Sequence, residues 1–172
     1  MSHTQNPNPK QRLIRRWLEV IGVFAAVLWA GSTWTLGYVV APNLFSAYSK
    51  VQAGEIAGVL FFAGQLLGLA CGAVLLLDYR VRFPNQIAHQ RGFWLVLALV
   101  FCVLIQYAML SPMIAAAKLA QDWPRFGQLH GVSQILYLAQ SLGLGWLVYL
   151  KCLLPAKQNV PHTTPTTDAT AN

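Results

Sequence analysis

Four apolar runs, with no Asp, Glu, Lys or Arg near the middle of any, constrain this chain more than any other feature. They span residues 17–40, 56–77, 93–112 and 126–150. A helix needs about 20 apolar residues to cross about 30 Å of hydrocarbon. The first run has 24 residues, enough to cross with some tilt. Over the whole chain 56% of residues are hydrophobic and 10% charged, where a soluble domain carries about 25% charged. The pattern predicts an all-α integral membrane bundle of four transmembrane helices over 17–151. The flanking segments 1–16 and 152–172 are polar, Pro/Asn-rich and Thr/Pro-rich respectively, and are expected to be disordered tails.

Four crossings put both termini on one side, and basic residues select which. The two tails and the loop between the second and third runs hold nine of the Lys and Arg residues, and the other two loops hold Lys50, Lys118 and Arg125. That bias predicts cytoplasmic termini in a bacterial inner membrane. Trp17, Tyr79, Trp94 and Tyr149 fall at the inner boundary, and Tyr38 and Trp123 at the outer. The first run is too long for the h-region of a signal peptide, and Pro42 makes a poor cleavage neighbour, so it reads as a retained anchor. Pro42 marks its outer end, with residues 43–54 as a short connection. Glu19 is expected to meet Arg15 one turn back.

The second run carries Gly64, Gly68 and Gly72 at four-residue spacing, preceded by Gly54 and Gly58. Small residues on one face let another helix approach closely in lipid, whether in the same chain, a second copy or another membrane protein. Pro112 predicts a kink or break in a third helix that continues to about Ala120. Asp122-Trp123-Pro124 is a turn signal. Cys71, Cys102 and Cys152 lack metal-binding spacing and read as small apolar packers.

Neutral polar residues gather in the outer half. His130, Gln134, Tyr137 and Ser141 recur at helical spacing, as do Gly31, Thr35, Tyr38 and Pro42, and Cys102, Gln106, Met109 and Met113. Together with Glu55 they define two readings. They are interhelical hydrogen bonds, or Thr35, Tyr38, Glu55, Gln106, His130, Gln134 and Tyr137 line a polar pocket open to the outer side. His130 with Met109, Met113 or Cys102 is the candidate set for copper or haem, although a bis-His haem needs a second histidine at that depth. There is no nucleophile–base pair, no Gly-rich phosphate loop and no catalytic carboxylate pair. The formal charge of +7 is spread over tails and loops with no basic face interleaved with aromatics, which argues against nucleic acid as a partner. The reading is of a non-enzymatic scaffold or binding module, with a membrane redox protein and a small permease subunit as alternatives.

Short motifs carry a resemblance: GS…YVVAPNLF closing the first run, AGEIAGVLF at Ala53–Phe61, SP at Ser111–Pro112, and FGQLHGVS at Phe126–Ser133. The chain resembles the transmembrane protein 205-like family, a domain of unknown function in bacteria with eukaryotic relatives, over about Trp17–Leu150. The resemblance implies a four-helix membrane protein without an established activity. It marks Pro42, Phe45, Ala53, Gly54, Pro112, Phe126, His130 and Ser133 as family positions. That family is distantly similar to copper-resistance protein D and to the membrane-bound protoporphyrinogen oxidase, which use histidines in helical bundles. Only His130 is available here, so the resemblance by itself does not carry copper or haem chemistry onto this chain, and the cofactor stays open.

Overall fold

A computed structural model describes residues 9–152, so residues 1–8 and 153–172 of the expected tails lie outside the described residues. The described chain is all helical. Helix α1 (Pro9–Trp34) runs through a π-helical turn (Thr35–Val40) into α2 (Ala41–Ala47). Helix α3 (Lys50–Arg82) returns, and a 3₁₀ turn (Ile87–His89) leads to α4 (Arg91–Ile105). A second π-helical turn (Gln106–Leu110) joins α4 to α5 (Ser111–Leu119), and α6 (Trp123–Cys152) closes the bundle. Helix α1 packs on α3 and α6, and α4 packs on the same two, which makes an antiparallel ring. One end therefore holds Pro9, the α3–α4 connection and Cys152, and is called the base. The other end holds the α2–α3 and α5–α6 turns, and is called the crown.

Four helices are long and apolar enough to cross a membrane, over Leu13–Ala47, Lys50–Arg82, Arg91–Leu119 and Trp123–Cys152. Between 22% and 33% of each most apolar window is buried inside the protein, so the rest needs an apolar solvent. Phe24, Val59, Ile135 and Leu142 are each about 70% exposed, a wasteful surface in water and a suitable one in lipid. The core lies toward the base. Trp29, Ala26 and Ala30 of α1 meet Cys71 and Leu75 of α3, Val96 and Leu99 of α4, and Leu144 and Leu147 of α6.

The helices overrun the apolar runs at both ends. Residues 9–16, expected as tail, are helical from Pro9 onward, because a formed helix extends easily through Lys, Gln, Arg and Leu. The connection expected over 43–54 shrinks to Tyr48 and Ser49. Ser49 caps α3, its hydroxyl accepting from the Gln52 backbone N–H at 3.4 Å and donating to Gln52 Oε1 at 2.9 Å. The Asp122 turn forms as expected. Gln121 takes φ 55°, and Asp122 Oδ1 accepts from the Arg125 N–H at 3.1 Å to start α6.

Neither Pro42 nor Pro112 ends its helix, and the chain stays helical through Pro42 as far as Ala47. Each proline follows a π-helical turn by two residues. A proline ring at position i clashes with the carbonyl of residue i−4 in an α-helix. Here the N–H of Ala41 reaches back five residues to the Leu36 carbonyl, and that of Ser111 reaches back five to Gln106. The widened turn accommodates the ring without breaking the rod. Side chains complete both joints. Asn43 Nδ2 donates to the Val39 carbonyl at 2.6 Å, and Ser111 Oγ to the Gln106 carbonyl at 2.8 Å.

The glycine stripe of α3 finds its partner inside the chain. A Cβ on Gly68 would lie 2.7 Å from Trp29 Nε1, and one on Gly72 would overlap Val100 Cγ2 and lie 3.4 Å from the Trp29 ring. On Gly64 it would lie 2.7 Å from Leu36 Cδ1, whereas Gly54 and Gly58 have nothing within 4 Å. Gly68→Ala should therefore destabilise the bundle by about 1–3 kcal/mol through overpacking. Gly58→Ala should leave it unchanged or slightly stabilised. Thermal unfolding in detergent micelles of matched composition distinguishes the two.

Candidate functional site

At the crown, the expected polar residues divide between bonds that tie helices and positions on the outer surface. Tyr137 on α6 directs its hydroxyl to the Thr33 carbonyl, just before the first π-helical turn. Gly37 makes room for the ring, since a Cβ there would lie 2.5 Å from Tyr137 Cε1. Tyr38 donates to Ser141 Oγ at 2.9 Å, and Trp34 Nε1 to the Ser141 carbonyl at 3.3 Å. Buried Gln106 donates through Nε2 to Oε1 of buried Gln140 at 2.9 Å, linking α6 to the second π-helical turn. These bonds join α6 to both proline-bearing helices, as the interhelical reading anticipates.

The remaining candidates lie on the outside. Thr35, Glu55, His130 and Gln134 are exposed. The His130 ring stacks on Phe126 at 5.6 Å, and its Nε2 lies 3.3 Å from Gln134 Nε2. Met109 is 58% exposed while Gln106, three residues earlier, is buried, so the expected row through Cys102, Gln106, Met109 and Met113 is not one face. Its physical cause is the π-helical turn, whose wider register rotates the positions that a 3.6-residue period lines up. Among the described residues no group of three or more His, Cys, Asp or Glu is placed to hold a metal ion. Of the family positions, Ala53 is fully buried, Phe126 and Ser133 are half-buried, and Pro42, Phe45, Gly54, Pro112 and His130 are exposed.

One well-defined concavity is apolar and lies between α1 and α3. A groove of about 640 Å³ runs along the α1/α3 seam between Phe24–Leu36 and Leu60–Leu67. Gly31 and Gly64 contribute no side chains to fill it, and Phe24, Val27, Leu28, Leu36, Leu60 and Leu67 form its walls. Ser32 turns its hydroxyl to the Trp29 carbonyl at 3.0 Å, so its polar atom is already satisfied. Of the expected polar set, only Thr35 lines this groove.

At the base stands a cluster that the sequence reading missed. Asp78 of α3 is 1% exposed. Lys151 Nζ lies 2.6 Å from its Oδ2, and Arg82 Nε lies 2.8 Å from its Oδ1. Arg82 Nη2 also donates to Oδ2 at 3.0 Å. Arg82 Nη1 reaches Glu19 of α1 at 3.3 Å, so the observed partner of Glu19 is Arg82 rather than the expected Arg15. Gly22 lets α1 close over the cluster, since a Cβ there would lie 2.8 Å from Asp78 Oδ2. Lys151 Nζ also stands 4.6 Å from the centre of the Tyr79 ring. The sequence did carry a signal: Asp78 and Arg82 stand four apart at the end of an apolar helix, the spacing of an intrahelical ion pair.

All-helical architecture over the described residues and four helices long and apolar enough to cross a membrane define a multi-pass membrane protein. The chain belongs to the family described as Domain of unknown function (DUF4149), whose model matches residues 24–122. The match takes in the α1/α3 seam, both proline joints and Asp78, and stops before α6 with Phe126, His130 and Ser133. The finer likeness to the transmembrane protein 205-like family and to copper-resistance protein D rests on the short motifs alone. No curated protein and no solved structure matches the chain.

Removing the hub should weaken the bundle more than removing one spoke. Asp78→Asn leaves buried Lys151 without an anion and Arg82 with only half-exposed Glu19, and the expected loss is about 3–5 kcal/mol. Lys151→Met leaves Asp78 paired with Arg82 and should cost distinctly less. Chemical denaturation in mixed micelles measures both, and equal losses would contradict the hub arrangement.

Proposed function

We propose that this protein is a non-enzymatic membrane binding module that holds an apolar chain, of the acyl or isoprenoid type, in the α1/α3 groove. One observation carries the reading. The crown's polar groups are largely engaged in joining helices or spread over the surface, while the α1/α3 groove is walled by apolar side chains of two membrane-length helices. A lateral opening favours a ligand that arrives through the membrane. Gly31 and Gly64 keep the groove deep, and Thr35 gives it one polar mark toward the crown. The outward-facing polar pocket expected from the sequence is thus replaced in this proposal by a lipid-facing one.

Gly31 supplies a clean test, because a Cβ there meets nothing within 4 Å. Gly31→Leu should fill the groove without disturbing the fold. Lipid retained through purification, measured by native mass spectrometry, should fall several-fold while the melting temperature stays within a few degrees. Undiminished lipid retention would exclude the groove as the binding site.

The membrane is proposed to be the bacterial inner membrane with both termini cytoplasmic, supported by the nine-to-three distribution of basic residues between the two sides. Fluorescent-protein fusions at either terminus should glow, and alkaline phosphatase fused after Ser49 or Gln121 should be active. The opposite pattern would invert the orientation.

A further inference from the structure

We propose that the wedge between the start of α1 and the end of α3 is a phosphate-binding site, suited to the headgroup of an anionic phospholipid. The wedge has a volume of about 360 Å³ and is lined by Arg15, Arg16, Glu19, Arg82 and Phe83. Glu19 follows Arg15 by four residues and Arg16 by three, so it is spaced to neutralise either. It is drawn across to Arg82 instead, at 3.3 Å. Arg82 is in turn fixed by Asp78, and Asp78 also receives Lys151. Two anions and two cations thus close a neutral circuit, of which Glu19 and Arg82 line the wedge and Asp78 and Lys151 stand behind them. Among the described residues, Arg15 and Arg16 are left with no ion-pair or hydrogen-bond partner.

Two uncompensated guanidinium groups over a fixed, neutral floor offer forked donors that match phosphate oxygens. Trp17, next in sequence and 61% exposed, is the residue type that settles at headgroup level. Basic pockets between helices at the membrane boundary are where anionic headgroups bind. Phe83 lines the wedge with its ring 5.6 Å from the Arg82 guanidinium carbon, which gives the headgroup an apolar shoulder. The wedge lies apart from the groove and is tested by different residues, so failure of one does not touch the other.

The test uses the full chain in uncharged detergent with fluorescent phosphatidylglycerol and phosphatidylcholine as probes. Wild-type protein should prefer the anionic lipid, and the preference should shrink as salt rises. Arg15→Gln/Arg16→Gln should lower affinity for phosphatidylglycerol by about twenty-five-fold, at roughly fivefold per arginine. Arg80→Gln/Arg91→Gln, at the same end but outside the wedge, should change it less than about twofold. On the unaltered protein, phosphatidylglycerol should protect Arg15 and Arg16 from phenylglyoxal, read by peptide mass spectrometry, so the proposal stands or falls even if the variant fails to fold. Displacement of the lipid by inorganic phosphate would keep the phosphate site but assign it to a soluble anion. An unchanged preference in the Arg15/Arg16 variant, an equal loss in the control, or unprotected arginines would overturn it.

Discussion

Three helices are held in register at the base by a single carboxylate. Asp78 takes Lys151 from α6 and Arg82 from its own helix, and Arg82 extends the contact to Glu19 on α1. A buried charge with so little water tolerates few arrangements, because an unpaired ion in a low-dielectric setting is strongly unfavourable. That intolerance fixes the height of each helix against the others, and the packing above it follows. Trp29 meets Gly68 and Gly72 at the level at which α1 and α3 stand here. The base is therefore specified by charge and close packing. The crown is joined by neutral hydrogen bonds of modest strength.

This difference in how the two ends are held explains where the groove lies. Below it, Gly68, Gly72 and Gly22 bring α1 and α3 together. Toward the crown the walls are Leu, Phe and Val side chains flanking Gly31 and Gly64, with Leu36 packed close to Gly64. In water such an opening would collapse or aggregate. In a bilayer the same apolar walls meet a solvent of their own polarity, and the proposed apolar ligand rests on that match.

The helices were legible in the sequence because twenty apolar residues without a charge admit few other structures. The glycine stripe was legible too, though its partner was not, since nothing in the spacing distinguishes a tryptophan of the same chain from a second copy. The row through Cys102, Gln106, Met109 and Met113 was misleading for a definite reason. A wheel drawn at 3.6 residues per turn assumes an uninterrupted α-helix, and the turns before Pro42 and Pro112 break that period. Gln106 therefore points inward while Met109 points out. Asp78 was overlooked because it closes an apolar run and looks like the first residue of a charged loop. Its burial depends on Lys151, 73 residues later, and no local pattern announces such a pairing.

The π-helical turns also bear on how a chain like this can change over time. Each holds one residue more than an α-helical turn of the same span, and each lies between a core-forming segment and the short helix that follows it. Exchanging side chains within Thr35–Val40 or Gln106–Leu110 leaves that count intact. Losing one residue does not. It would swing everything beyond the turn by about 100° and set the proline ring against the carbonyl that the wide turn moves aside. The two segments are thus indexed by number as much as by composition, and the lengths of these turns should resist insertion and deletion more than their letters resist substitution.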